Sequence, residues 1–165
     1  MTETSSSPLS PAAQRVQAAL DAHGLAIRVV ELPVSTRTAH EAAQAVGCEV
    51  GQIVKSLVFR GRHSGRPVLI LTSGANRVDV EVAAAQVGEP LEKAEADFVR
   101  AVTGFVIGGV PPLGHATPIP TFMDEDLLAY AEVWAAAGTP NAVFPIAPTD
   151  LQRITAAQVV RVKNR

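Results

Sequence analysis

Ile53-Val54-Lys55-Ser56-Leu57-Val58-Phe59, then Arg60-Gly61-Arg62-His63-Ser64-Gly65-Arg66, then Pro67-Val68-Leu69-Ile70-Leu71-Thr72 is the stretch that decides the fold class. Two apolar runs rich in β-branched residues flank a polar loop containing glycine, the pattern of a β-hairpin. Hairpin pairing is antiparallel, which points away from a simple doubly wound parallel sheet. Upstream, Ser10 before Pro11 opens a helix that runs to His23 and stops at Gly24. Ala26 to Leu32 reads as a strand closed by Pro33, and Thr38 with Glu41 forms a capping box for a helix ending at Gly47. Downstream, Asn76 to Val87 reads as a helix with Asn76 and Asp79 spaced as cap and third-position acid, and Asp97 to Val102 as a shorter one. Strands are expected at Phe105–Ile107, Pro120–Met123, Val133–Ala136, Ala142–Ile146 and Gln158–Val162, with Thr149 capping a short helix to Ile154. The order predicts a mixed α/β (α+β) fold, a curved mixed sheet with helices packed around it.

Composition bounds the reading. At 165 residues and 47% hydrophobic, the chain is of a size for one domain with a self-sufficient core, here assigned to 11–165. Residues 1–10, rich in serine, read as a disordered tail and not as a signal peptide or membrane anchor. No apolar run is long enough for a transmembrane helix, so the expectation is a soluble cytoplasmic protein with no membrane partner. With 14 basic and 16 acidic residues, gripping long nucleic acid through phosphate neutralisation alone is excluded, but a short contact is not. The single cysteine, Cys48, rules out an internal disulfide or a multi-cysteine zinc site and reads as a small apolar residue. The histidines have no metal-ligand spacing, so no metal and no cofactor is expected.

Two features carry chemistry. Strand alternation places Lys55 on the face shared by Ile53, Leu57 and Phe59, where an ammonium either snorkels, guards a sheet edge, or lines a cavity that uses its charge. The second is Gly108-Gly109-Val110-Pro111-Pro112-Leu113-Gly114. It reads either as a plain connection or as a stiff loop offering amides to an anionic or carbonyl oxygen. If both face one cavity, cation and donors converge as in sites that stabilise charge during acyl transfer.

The segments IVKSLVF (53–59), LTSGANRVD (71–79), TGFVIGGVPPLGH (103–115), PTFMDEDLL (120–128) and AAGTPNAVF (136–144) together resemble the YbaK/EbsC family, which is related to the editing domain of bacterial prolyl-tRNA synthetases. The resemblance runs from about Leu25 to Val162. It implies a barrel-like mixed sheet and hydrolysis, in trans, of mischarged aminoacyl-tRNA of the Cys-tRNA(Pro) or Ala-tRNA(Pro) type. Lys55 falls on the family's functionally required lysine, and Gly108 to Pro112 on its GxxxP loop. The amides of Gly109 and Val110 would support the oxyanion beside Lys55. Gly108, Pro111, Pro112, Gly114 and His115 would line the same pocket, as would Ser73, Gly74 and Asn76 on a second loop and Gly138 and Thr139 on a third. Ala136-Ala137-Gly138-Thr139 departs from the serine-and-glycine pattern of the tRNA-proline deacylases, which leaves the amino acid open. Partners would be the single-stranded acceptor end of tRNA, with Arg60, Arg62 and Arg66 as candidate phosphate contacts, and a synthetase delivering the substrate is left open.

Bland alternatives stand beside these. Asn76, Asp79 and Asp124 serve equally as caps, and His115 as a solvent-facing loop residue. No serine, cysteine or histidine sits in a nucleophile motif, so water activated by the neighbouring ribose hydroxyl would attack the ester. A noncatalytic module binding aminoacyl-tRNA, an amino acid or a nucleotide in the same pocket is the competing reading. A third treats Lys55 as an edge gatekeeper.

Overall fold

The computed structural model describes residues 9–164. Its elements are α1 (Pro11–Ala22), β1 (Val30–Glu31), α2 (Ala39–Val46), β2 (Ile53–Gly61), β3 (Pro67–Ser73), α3 (Val80–Val87), β4 (Leu91–Lys93), α4 (Ala96–Thr103), β5 (Thr121–Asp124), β6 (Val133–Ala136), β7 (Ala142–Ile146), α5 (Pro148–Thr155) and β8 (Gln158–Val160). The strands form one eight-stranded mixed sheet in the order β1-β7-β6-β2-β3-β5-β8, with β4 added to β2. The hairpin is its centre: β2 and β3 pair antiparallel from Val54↔Ser73 to Arg60↔Pro67. β3 lies between β2 and β5, and Val68, Leu69, Ile70 and Leu71 are buried, so a continuous apolar run replaces alternation there. Leu69 and Leu71 join Val16, Leu20, Met123, Leu127, Phe144 and Leu151 in the main core, and Ile70 joins Phe59, Val68 and Leu91 on the other side. Each such side chain contributes about 1.5–3 kcal/mol on burial.

The expected capping box of α2 is present: Thr38 Oγ1 accepts from Glu41 N (3.1 Å), and Thr38 N donates to the Glu41 carboxylate (3.2 Å). Asp79 caps α3 through Glu81 N and Val82 N. Of the expected tail 1–10, residues 1–8 lie outside the described residues. Leu9 packs against the core, and Ser10 caps α1 while its amide donates to Glu31.

Several expectations need correction. The run Phe105–Ile107 is no strand: Thr103 Oγ1 accepts from Phe105 N at the end of α4, and Gly109 N closes a turn onto Val106 O. Only Phe105 enters the core, leaving Val106 and Ile107 exposed. Ala26–Leu32 shortens to Val30–Glu31, because Gln17 of α1 accepts from Val29 N and donates to Ile27 O. Asn76 caps nothing; its side chain is turned inward. Thr149 lies inside α5, which starts at Pro148, since proline is preset for the first helical position. The last strand stops at Val160, after which Val162 O accepts from Asp79 N. β4, short and flanked by charge, had no strand signature.

Candidate functional site

Lys55 lies on an interior strand of the sheet. β2 has β3 along one side, and on the other β6 (Ile53↔Trp134, Val54↔Ala135) followed by β4 (Phe59↔Lys93 to Gly61↔Leu91). Lys55 falls in the interval between β6 and β4, where β2 is paired only with β3, so it faces a gap inside the sheet and not one of the sheet's outer edges. Around β2 opens a cavity of about 610 Å³. It is reached by Arg37 and His40 near the start of α2, by Lys93 of β4, by Trp134 of β6, and by Gly108 and Val110 of the glycine-proline loop. Lys55 and that loop thus do face one cavity. No aspartate or glutamate is among its described lining residues, whereas Arg37, Lys55 and Lys93 are, and none of these cations is in an ion pair among the described residues. An acidic protein has a cationic hollow.

Lys55 Nζ donates to the carbonyl of Asn76 at 2.6 Å. Partial burial, reinforced by the nearby Arg77 guanidinium and opposed by Asp124, holds its pKa below the ordinary lysine value. Asn76 is itself clamped: its Nδ2 donates to Asp124 (2.8 Å) and Asp126 (2.8 Å), and its Oδ1 accepts from Lys163 (3.0 Å). Asp124, almost fully buried, also accepts from Ser73 N (3.0 Å) and Asp126 N (3.0 Å). The Asp126 carboxyl is held below its usual pKa first by the Asn76 bond and then by Lys163. Ser73 Oγ donates to Gly51 O (2.7 Å). Of the second loop, then, only Gly74 lines the cavity, while Ser73 and Asn76 build the frame that fixes the Lys55 ammonium.

The glycine-proline loop divides its residues between two sides. Gly108 has φ +96°, and a Cβ there would sit 3.1 Å from Arg37 Cγ, so glycine keeps the loop close to that arginine. Gly109 is pressed backbone to backbone on Thr139, where a Cβ would come within 2.8 Å, and its carbonyl accepts from Gly138 N (2.9 Å). Its amide closes the turn onto Val106 O (3.0 Å), so the expected donor at Gly109 is already engaged. The loop residues lining the cavity are instead Gly108 and Val110. Gly138 and Thr139 brace the loop from behind. Pro111 and Pro112 are buried, while Pro112, Gly114 and His115 line a different hollow of about 310 Å³ with His23 and Thr155. His115 is neither solvent-facing nor at the Lys55 cavity: its Nε2 lies 2.7 Å from Pro111 O, which can only accept, so the proton resides on Nε2. Burial lowers the His115 pKa, and the Pro111 bond opposes that shift.

The basic hairpin is largely occupied by partners of its own. Arg62 pairs with Glu92 (3.6 Å), and Arg60 stacks over Phe98 (4.8 Å). Glu89 accepts from His63 N, Ser64 N and Ser64 Oγ under the turn, and these Ser64 bonds lower its pKa. Arg66 is exposed and has neither an ion pair nor an aromatic stack among the described residues. Sequence reasoning missed Arg37, Lys93 and Trp134, which are distant in the chain and carry no motif, and Ser56, which adjoins Lys55 within IVKSLVF.

Comparisons with known proteins agree with this fold. A family model described as an aminoacyl-tRNA editing domain matches residues 34–154. A crystal structure reported as that of a provisional trans-editing enzyme for prolyl-tRNA synthetase superposes with a TM-score of 0.90 at 58% identity, covering 96% of this chain and 100% of that one. A protein of Enterococcus faecalis provisionally named Cys-tRNA(Pro)/Cys-tRNA(Cys) deacylase EbsC is 27% identical over 129 residues, 78% of each chain. A proline–tRNA ligase of Bacillus licheniformis is 36% identical over 105 residues, 63% of this chain but 18% of the ligase. No helix among the described residues is long and apolar enough to cross a membrane.

Proposed function

The chain belongs to the aminoacyl-tRNA editing domain family, and from that premise we propose that it is a trans-editing hydrolase cleaving the ester of mischarged tRNA, of the Cys-tRNA(Pro) or Ala-tRNA(Pro) type. The observation that carries this reading is the cationic cavity, with no carboxylate among its described lining residues, in which a clamped Lys55 and the loop residues Gly108 and Val110 converge. The 3′-terminal nucleotide carries phosphate, and its aminoacyl ester develops negative charge on the carbonyl oxygen during attack. Lys55 meets that oxygen or the terminal phosphate, with loop amides beside it, each such donor contributing about 10²–10³ in rate. A lysine whose position is set by Asn76 O is preorganised, so little reorganisation accompanies reaction. The attacking water is activated by the vicinal ribose hydroxyl.

Arg37, exposed beside Gly108, is placed to hold the acceptor-end backbone, with Arg66 as a secondary contact further along the hairpin. Recognition is confined to the single-stranded end, in keeping with the chain's net charge of -2. A synthetase would supply the mischarged substrate, and discrimination of about 1–3 kcal/mol per methylene in its own site is what makes such editing necessary.

The test is deacylation of tRNAs charged with cysteine, alanine, serine, threonine and proline by wild type and Lys55→Ala. Multiple-turnover release from one mischarged species, lost in the variant, supports the hydrolase. Binding of the acceptor end without release from any species would replace it by a noncatalytic module.

A further inference from the structure

Ser56 follows Lys55 on β2 and points to the opposite face, beside Val54 and Val58. Its Oγ is buried and makes no hydrogen bond among the described residues, yet the residue lines the large cavity. An unsatisfied buried hydroxyl is destabilising, so native folds seldom keep one without a use.

The strand pairing around it is also incomplete. β6 stops pairing with β2 at Val54↔Ala135, and β4 begins at Phe59↔Lys93, so residues 55–58 have a partner strand only on the β3 side. Gly74 N donates to Ile53 O and Gly61 N to Arg66 O, which marks the odd residues of β2 as those whose main-chain groups face β3. Arg62 N donates to Pro90 O, so the even residues face the other way. The N–H and C=O groups of Ser56 and Val58 are therefore directed into the interval between β6 and β4, where the cavity lies.

On the reading that this cavity takes an aminoacyl ester, one group of that ester lacks a partner. The α-amino group cannot be met by a carboxylate, since none is among the described lining residues. Surrounding cations favour its neutral form, which both donates and accepts, as a hydroxyl does. We propose that Ser56 is a specificity-determining residue whose hydroxyl, with the unpartnered main-chain edge of Ser56 and Val58, receives the substrate's α-amino group. The site then selects esters with a free α-amine and rejects N-blocked ones.

Binding of nonhydrolysable 3′-amide analogues tests this without requiring turnover. Alanyl, cysteinyl and seryl amides of 3′-amino-3′-deoxyadenosine are titrated by calorimetry, each with a free and an N-acetylated α-amine. Wild type should bind the free-amine form about tenfold more tightly for whichever side chain binds, the size of one good hydrogen bond. Ser56→Ala should bring that ratio to about twofold or less, and Ser56→Thr should preserve most of it. Equal binding of free and acetylated forms by wild type overturns the proposal, as does an unchanged ratio in Ser56→Ala or no binding of any analogue. Selective weakening of the seryl analogue alone also overturns it, by assigning the hydroxyl to the amino-acid side chain. Failure of the hydrolase reading is distinguishable: analogues bind with the expected ratio, while charged tRNA is not turned over.

Discussion

The chain has two concentrations of positive charge, and they differ in what surrounds them. In the hairpin tip, Arg60, Arg62 and Arg66 are neighbours in sequence, yet Glu92, Phe98 and Glu89 occupy most of the tip. Around the cavity, Arg37, Lys55 and Lys93 come from α2's approach, β2 and β4, and no carboxylate is among the described lining residues. Sequence density of arginine thus marks a self-satisfied turn, while the charge available to a ligand is assembled from afar. A pairing partner within a few ångströms screens a cation far more than distance along the chain suggests.

The widest separation between the two regions should come from Lys55→Ala, which we expect to lower kcat/KM for deacylation by about 10²–10³ with little change in melting temperature. If the hairpin matched that loss, the comparison would break. Next come Asp124→Asn and Asn76→Ala, which disturb the clamp on Lys55. Expected are a loss of about 1–3 kcal/mol in chemical denaturation and a fall in kcat larger than any rise in KM. A destabilised variant with unimpaired kcat would remove Asn76 and Asp124 from the positioning of Lys55.

Arg37→Ala should raise KM for tRNA several-fold and reduce the salt slope of binding by about 1, whereas Arg62→Ala should leave the slope unchanged. Measuring both across an ionic-strength series sharpens the contrast directly. The pH profile offers a smaller effect. Lys55 titrates below the ordinary lysine range because of burial, so catalysis corrected for spontaneous hydrolysis should fall on an alkaline limb below that range. In that same interval the unfolded state binds more protons, so the lysine's contribution to stability rises with pH while activity falls. The smallest effect belongs to His115. Its folded pKa is lowered, so it contributes stability above about pH 6.5 that is lost as pH falls through the folded value. His115→Gln should flatten that acid limb in thermal melts and leave deacylation unchanged.

Much of the fold was legible because its signals are local. The hairpin from Ile53 to Thr72, the Thr38–Glu41 capping box and the Asp79 cap are each written within a few residues, and all are present. The resemblance carried by IVKSLVF and GGVPPLG agreed with the family that the comparisons established. Lys55 stood out because a charge on an apolar strand face violates alternation. By contrast, Phe105-Val106-Ile107 has a strand's composition, but a hydroxyl of Thr103 and a turn at Gly109 took its backbone groups. Asn76 has a cap's spacing, but the Asp124 and Asp126 carboxylates, about fifty residues on in the chain, claimed its amide.

What the sequence by itself determined was the class of sheet, most helix limits and one of the cations that line the cavity, Lys55, because periodicity and capping act over one or two turns of chain. Only the tertiary structure decided that Gly108 and Val110, not Gly109, line the cavity, that His115 belongs to another hollow, and that Arg37 and Lys93 join Lys55. Those outcomes depend on which backbone and charged groups already have partners, and partners are chosen by long-range packing that no local pattern encodes.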